Sequence, residues 1–173
     1  QAYINLANVY AETGKWQSSI QALEKSLAMK KKVGDIFGES LILNNLAYTH
    51  LESGDWEKAS TLFKESISIW NQLGAAWPKA ISLSNLAQVY IYQQKWPEAG
   101  ECLAQSQKIF ALVKSEEYLP ELKRRWAEYY FKTGDYDQAL HYIHQSINLA
   151  KEKKARLEIG ISYRVLGKIY LAQ

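Results

Sequence analysis

The chain has 173 residues, 47% of them hydrophobic, with a formal net charge of +3 and a pI near 8.8. This size and composition allow one folded unit with a sizeable core, and the mild charge does not favour the concentrated basic surface of a dedicated nucleic-acid binder. The single cysteine excludes an internal disulfide and fits a reducing compartment, while no apolar run approaches the roughly 18 residues of a membrane span.

Turn signals recur at a fixed interval along the chain. Residues 14, 34, 54, 74, 94, 114, 134 and 154 are 20 apart, and five of these eight are glycine. Glycine just past a helix end adopts the left-handed conformation at little steric cost. The interval predicts about nine helices of roughly 17 residues each. Because both termini fall inside helical patterns, we expect a fragment of a longer cytoplasmic protein.

The first two helices show the expected apolar periodicity. Tyr3, Leu6, Ala7 and Tyr10 have the i, i+3, i+4, i+7 spacing of a buried face. The second helix is predicted from about Trp16 to Lys32, after the turn at residue 14.

Capping residues and prolines mark several later helix starts. Three aspartates are predicted to cap helices: Asp35, Asp55 and Asp135. Pro78 and Pro97 fall at expected helix starts, where the missing N–H carries no penalty. Pro120 lies in the first turn of the seventh helix or bends it, so the boundary at 115–119 stays open.

The chain repeats every 40 residues. A small anchor residue recurs at Ala7, Ala47, Ala87, Ala127 and Gly167. Nine positions later stand Trp16, Trp56, Trp96 and Tyr136, and twelve positions later Ser19, Ala59, Ala99 and Ala139. Serine follows at Ser26, Ser66, Ser106 and Ser146. A fixed period of this length predicts a solenoid, in which the large aromatic residues fill the gap between paired helices and the small residues allow close approach.

These residues form the pattern L-A-x-x-Y-x-x-x-G-x-W-x-x-A, seen as LANVYAETGKWQSS, LAYTHLESGDWEKA, LAQVYIYQQKWPEA and WAEYYFKTGDYDQA. The pattern resembles the tetratricopeptide repeat. The family's usual period is about 34 residues, and the longer period here is similar to that of kinesin light chains and of the sensor regions of bacterial signal-transduction ATPases, including maltose-responsive transcription activators. HEAT and armadillo repeats share the length but lack this spacing. Four residues depart from the pattern: Ser19, His50, Gln94 and Trp126.

The resemblance implies an all-α, right-handed superhelical solenoid of antiparallel helix pairs. We expect one solenoid over residues 1–173, with four full copies and the first helix of a fifth. The predicted repeats are 1–34, 35–74, 75–114, 115–154 and a partial 155–173.

A helical wheel places a ligand surface on the first helix of each pair. The face opposite the core stripe holds the positions −6, −2, +1 and +5 from the anchor, and stacked pairs turn this face into a continuous concave groove. The predicted groove residues are Asn5, Asn8, Asn44, Asn45, Tyr48, Asn85, Gln88, Tyr92, Arg124, Arg125, Glu128, Arg164 and Lys168.

Two features of this face suggest a ligand. Asn5, Asn45 and Asn85 form a ladder whose amides suit the backbone of an extended peptide, and the resemblance implies the same grip. At the other end, Arg124, Arg125 and Arg164 suit an acidic group. The alternatives are that the asparagines are solvated surface and that Glu121 and Glu128 neutralise the arginines.

Signals of catalysis are weak. The sequence has no phosphate-binding loop and no credible nucleophile–base set. His141 and His144 have metal-ligand spacing with Asp137 one turn earlier, but no further ligand is evident. Cys102 and His50 are expected to be interior residues. We therefore expect no enzyme activity, no cofactor and no metal.

The sequence favours a non-catalytic protein- or peptide-binding module, the sensor or scaffold part of a larger signalling or regulatory protein. One alternative is a small-molecule sensor of a transcription regulator. Another is self-association through the last helix, whose apolar face has no following helix to cover it: Ile161, Leu166, Ile169 and Tyr170.

Overall fold

The computed structural model describes residues 2–172, and within them the chain forms nine α-helices and no strand. Their bounds are α1 Ala2–Glu12, α2 Trp16–Lys32, α3 Ile36–Glu52, α4 Trp56–Gln72, α5 Ala76–Tyr92, α6 Trp96–Leu112, α7 Leu119–Thr133, α8 Tyr136–Glu152 and α9 Arg156–Ala172. Each helix packs on the next, and α3, α5, α7 and α9 also contact one another in turn. The predicted solenoid of helix pairs is confirmed, with the odd-numbered helices forming one wall.

The turns follow the predicted interval. All eight positions have a positive φ angle, including the three that are not glycine: Gln94 at 58°, Lys114 at 50° and Lys154 at 55°. The chain therefore adopts the left-handed conformation here whichever residue is present. The three predicted aspartate caps are also confirmed, because their carboxylates accept from the backbone N–H of Gly38, Lys58 and Gln138.

The recurrent serines tie the two helices of a pair together. The hydroxyl of Ser66 donates to the backbone oxygen of Ser40 at 3.1 Å. Ser106 donates in the same way to Ala80 at 2.8 Å, and Ser146 to Pro120 at 2.7 Å. Each bond reaches back 26 residues, from the second helix to the start of the first. The sequence showed this serine without indicating its role.

The aromatic and small residues of the repeat pack largely as predicted. Ala59, Ala99 and Ala139 are fully buried, and Trp56 and Trp96 are half-buried against the cluster that contains Ala59 and Ala99. The buried face predicted for α1 is wrong in part, because Leu6 is 42% exposed whereas its counterpart Leu46 is 3% exposed. In the described chain no helix precedes α1 to cover Leu6.

α7 departs from the repeat. It begins at Leu119, three positions later than the starts of α3, α5 and α9 would place it, and Pro120 lies in its first turn. An earlier start would put this proline where its N–H is needed for the helix ladder. The displaced segment turns Tyr118 inward, where its ring stacks on Phe110 with centroids 5.3 Å apart.

The apolar core divides within α7. The first cluster of buried hydrophobic residues runs along the chain from Ala7 to Leu122, and the second runs from Ala127 to Ile169. Between Leu122 and Ala127 lie two buried arginines, Arg124 and Arg125. We call α1–α6 the front half of the solenoid and α7–α9 the rear half.

Candidate functional site: the concave groove

An open cavity lies on the predicted groove face and is lined mainly by residues of the front half. Its volume is about 400 Å³, within the range of roughly 300–1,000 Å³ typical of ligand sites. The structure brings five predicted groove residues together here: Asn8, Asn44, Asn45, Tyr48 and Asn85. The remaining lining is Ala11, Glu12, Ser19, Leu23, Thr49, Ile81, Tyr118 and Glu121. We call this the front cavity.

The amides of the front cavity differ in how they are engaged. The side-chain oxygen of Asn44 accepts from the hydroxyl of Ser82 at 2.9 Å. Among the described residues, the side chains of Asn8 and Asn45 have no hydrogen-bond partner, and Asn8 is exposed. Asn5 is exposed on α1 and lies outside the lining of the cavity. The predicted ladder therefore enters the cavity at Asn45 and Asn85.

Tyr48 stands at the edge of this cavity. Its side chain is 42% exposed, so the ring presents an apolar surface to the groove. Burial raises the pKa of the Tyr48 phenol, and the charge of Glu52 adds to the rise. Tyr48 therefore remains a neutral hydrogen-bonding group at neutral pH.

Arg125 occupies the ladder position of the next repeat and fills it. The residue is 1% exposed. Its guanidinium donates to the side-chain oxygens of Gln88 and Asn85, the latter at 2.8 Å. It also donates to Glu121 at 2.6 Å. The side-chain oxygens of Asn85 and Gln88, two residues predicted to contact a ligand, therefore accept hydrogen bonds from Arg125.

Arg124 is engaged as well. It donates to Glu158 on α9 at 2.7 Å and to Glu128 at 3.0 Å. The prediction that Arg124 and Arg125 receive an acidic ligand is wrong, because their guanidinium groups are buried and already paired with carboxylates. The alternative that Glu121 and Glu128 neutralise them is what the structure contains.

The pKa of Glu121 reflects the strength of this pairing. Burial works to raise the pKa of its carboxyl, but the positive charges of Arg125 and Arg124 outweigh burial and hold it below its usual value of 4.5. Glu121 is therefore ionised at neutral pH. The five charged groups form one connected set, which we call the arginine network: Glu121, Arg124, Arg125, Glu128 and Glu158.

The remaining predicted residues lie apart from the front cavity. Tyr92, Glu128 and Lys168 line a small cleft of about 80 Å³ between α5, α7 and α9. The hydroxyl of Tyr92 accepts from Gln88 at 3.1 Å, and its ring stacks on Trp56 with centroids 5.7 Å apart. Arg164 is exposed on α9 beside Arg156 and Leu157. No single surface therefore joins all thirteen predicted residues.

Eight lining residues of the front cavity were not predicted as site residues, and two of them, Tyr118 and Ser19, are informative. Tyr118 reaches the cavity floor, with its hydroxyl 3.4 Å from the side-chain oxygen of Asn85, because α7 starts late. The signal available in the sequence was the uncertain boundary before Pro120. Ser19 lines the cavity at 1% exposure, and the sequence marked it only as a serine where three other repeats have alanine.

Other kinds of site receive no support from residues 2–172. That part of the chain holds no cluster of three acidic, histidine or cysteine side chains arranged for a metal ion. The Nε2 atom of His141 is hydrogen-bonded to Gln145 at 2.8 Å. None of the described helices is long and apolar enough to cross a membrane.

Comparison with known proteins identifies the repeat. Residues 1–72 and 38–112 match the tetratricopeptide repeat family, and together these segments cover more than half of the chain. The chain belongs to the tetratricopeptide repeat family. Its fold is a protein-interaction scaffold and is typically non-catalytic. No significant relative is found among curated protein sequences.

Solved structures share the fold at low sequence identity. The nearly identical TPR-like repeats of a putative kinesin light chain from Podosopora anserina superpose with a TM-score of 0.70 and 19% identity, over 96% of this chain and 86% of that one. BtubC (BKLC) from P. vanneervenii gives 0.73 and 15%, over 95% and 72%. Aspartyl phosphate phosphatase F from Bacillus subtilis gives 0.78 and 13%, over 94% of this chain and 43% of that one. The predicted likeness to kinesin light chain repeats is confirmed at the level of fold.

Proposed function

We propose that this tetratricopeptide repeat domain binds an extended peptide segment of a protein partner in the front cavity, as the non-catalytic recognition part of a cytoplasmic signalling or regulatory protein. The observation that carries the proposal is the front cavity itself, an open space of about 400 Å³ in which the amides of Asn8 and Asn45 are unpaired among the described residues. The fold supports a protein partner, since repeats of this family serve as interaction scaffolds.

The chemistry of the lining suits a peptide backbone. Each asparagine amide offers two donors and an acceptor, so the side chains of Asn8 and Asn45 match both the N–H and the C=O of an extended chain. Leu23, Ile81 and the exposed ring of Tyr48 provide apolar surface beside them. A peptide lying here would reach from the first repeat to Asn85 in the third, because Arg125 fills the groove beyond Asn85.

Selection from a displayed library of random peptides, followed by calorimetry, tests the proposal. We expect the Asn8→Ala, Asn45→Ala double variant to bind a selected peptide roughly thirtyfold more weakly, because two hydrogen bonds of about 1 kcal/mol each are lost. The matched control is Asn148→Ala, which removes an exposed amide from α8 and leaves affinity unchanged. Equal helicity of all variants by circular dichroism excludes unfolding as the cause.

Two results would remove the proposal. One is a selection that yields no peptide bound by the wild type. The other is a peptide whose affinity is the same for the double variant and for Asn148→Ala, because its binding would then lie outside the front cavity. Saturable binding of a metabolite in the cavity, with no peptide bound, would favour the small-molecule alternative.

Self-association is a second candidate function, favoured by apolar side chains exposed on both end helices. Leu6 and Val9 on α1 are 42% and 55% exposed, and Leu157 and Tyr170 on α9 are 80% and 55% exposed. Light-scattering mass measured over a range of protein concentrations tests this candidate. A mass that rises with concentration in the wild type, but not in Leu157→Ser with Tyr170→Ser, supports contact through α9. A constant monomer mass rules it out.

A further inference from the structure

The charge of the front cavity has one sign. Among its lining residues, Glu12 and Glu121 are acidic and none is lysine or arginine. Glu12 is exposed at the end of α1, and no ion pair joins it to another described residue. Glu52, in the same repeat position one copy later, is close enough to raise the pKa of Tyr48 at the cavity edge.

The arginine network behind the cavity does not reverse this sign. It contains two guanidinium groups, Arg124 and Arg125, and three carboxylates, Glu121, Glu128 and Glu158. Its formal charge is therefore −1. Arg125 is 1% exposed, and its terminal N–H groups donate to Gln88, Asn85 and Glu121, while its buried Nε–H has no hydrogen-bond partner in the described chain.

An independent observation points to a hydrogen-bonding group in the ligand, which a serine hydroxyl can meet as acceptor or as donor. Ser19 lines the cavity and is 1% exposed, yet its hydroxyl has no hydrogen-bond partner within the described chain. The equivalent residue in the next three repeats is alanine. A buried polar atom without a hydrogen-bond partner lowers stability by about 1–3 kcal/mol. A ligand group that bonds to the Ser19 hydroxyl would account for its presence in this copy alone.

The cavity therefore combines acceptors with negative charge. The carboxylates of Glu12 and Glu121, the amide oxygen of Asn45 and the hydroxyl of Ser19 surround one space. A lysine ammonium carries three donors and an arginine guanidinium five, and neither accepts. Hydrogen bonds between such groups and carboxylates are among the stronger ones in proteins.

From this arrangement, and resting on the proposed peptide groove, we infer that the front cavity takes a positively charged side chain, lysine or arginine, from the partner segment. The chain as a whole has a net charge of +3, which opposes general attraction of cations. A preference for a basic side chain would therefore arise locally, from the cavity. Lys132 and Lys168 line the small cleft between α5, α7 and α9 and do not line the front cavity.

A positional library of hexapeptides, acetylated at the N-terminus and amidated at the C-terminus, tests the inference on the whole chain. In each sublibrary one position is fixed as Lys, Arg, Gln, norleucine or Glu, and binding to the immobilised protein is measured. We expect the Lys or Arg sublibrary at one position to bind about tenfold more tightly than the Glu sublibrary, because a charge-assisted hydrogen bond is replaced by repulsion. Acetylation removes the terminal amine as a competing source of positive charge.

Two variants locate the preference. Glu12→Gln keeps the shape of the side chain and removes its charge, so the ratio between Lys and Glu sublibraries should fall at least threefold. Glu65→Gln removes an exposed carboxylate from α4, outside the front cavity, and should leave the ratio unchanged. Ser19→Ala restores the alanine of the other copies and should weaken the Lys and Arg sublibraries more than the norleucine sublibrary.

The outcomes separate this inference from the proposed function. If peptides bind in a way that requires Asn8 and Asn45 but show no preference for Lys or Arg, or keep the preference in Glu12→Gln, the inference is wrong and the peptide groove stands. If no sublibrary binds, both fail. A preference for Glu would contradict the inference directly.

Discussion

The front and rear halves of the solenoid are built from the same repeated helix pair, but the ladder position has a different environment in each half. In the front half, the ladder residue Asn45 is unpaired among described residues and borders an open cavity. In the rear half, the ladder residue Arg125 is buried, bonded to three side chains, and seated where the two hydrophobic clusters part. One side chain at a repeated position therefore converts an open groove into a structural junction.

The residues at the turns also change along the chain. The first four left-handed positions are glycine, whereas three of the last four are not. A residue with a Cβ atom in this conformation costs about 1 kcal/mol or more. The turns within the front half comprise four glycines and Gln94, those within the rear half comprise Gly134 and Lys154, and Lys114 lies at the junction between the halves.

The largest expected effect is a difference in stability between variants of the two ladder residues, Arg125 and Asn45. Arg125→Ala should lower the free energy of unfolding by about 3 kcal/mol, because removing one member of a buried ionic set leaves the carboxylate and amide oxygens without their donor. Asn45→Ala should change it by less than about 0.5 kcal/mol, because its amide has no partner to lose. Urea unfolding followed by circular dichroism measures both. Similar changes in the free energy of unfolding for the two variants would show that Arg125 and Asn45 do not differ in their structural role.

The pH dependence of stability tests the arginine network. The folded-state pKa of Glu121 is lowered from 4.5, so its contribution is fully present above about pH 4.5 and is lost as the pH falls through the lower folded-state value. Glu121→Gln should therefore be less stable than the wild type by about 1.5 kcal/mol at neutral pH. In thermal melts at falling pH, the two curves should converge below pH 4.5. A constant difference down to the most acidic melt would show that the charge of Glu121 is not what stabilises the network.

The smallest expected effect concerns the turns. Lys114→Gly should raise the free energy of unfolding by about 1 kcal/mol or slightly less, since it relieves a side chain at φ 50°. The reverse substitution in the front half, Gly54→Lys at φ 88°, should lower it by a similar amount. Denaturant unfolding of the pair checks the signs. A destabilised Lys114→Gly would mean that Lys114 makes a contact worth more than its backbone strain.

The helical pattern predicted the fold because each helix pair obeys local rules. The turn spacing, the aspartate caps and the packing of the repeated aromatic residues beside the alanines depend on neighbours within about 20 residues of sequence. The structure confirms the first two and largely confirms the third. The helical wheel also placed Asn8, Asn45 and Tyr48 on one face, and these three residues line the front cavity together.

The wheel failed where contacts cross between repeats. A helical wheel assigns a face to each side chain but does not identify its partner. It therefore predicted that Arg125 binds a ligand, although the acceptors of its hydrogen bonds come from the chain itself: Asn85, one repeat earlier, and Glu121. The late start of α7 follows from Pro120, but the inward position of Tyr118 depends on the space beside Phe110, which only packing reveals. The prediction that Leu6 is buried was wrong for a related reason, since a helix face is buried only when another helix covers it.

The most direct test of the account is a two-dimensional NMR titration of the labelled chain with a peptide from the library selection. The account predicts that the largest shifts fall on the side-chain amides of Asn8 and Asn45 and on backbone amides near Tyr48, while the guanidinium signals of Arg124 and Arg125 stay in place. Largest shifts around Arg164 and Lys168, with the front cavity unperturbed, would contradict it, because the rear half would then be the binding surface.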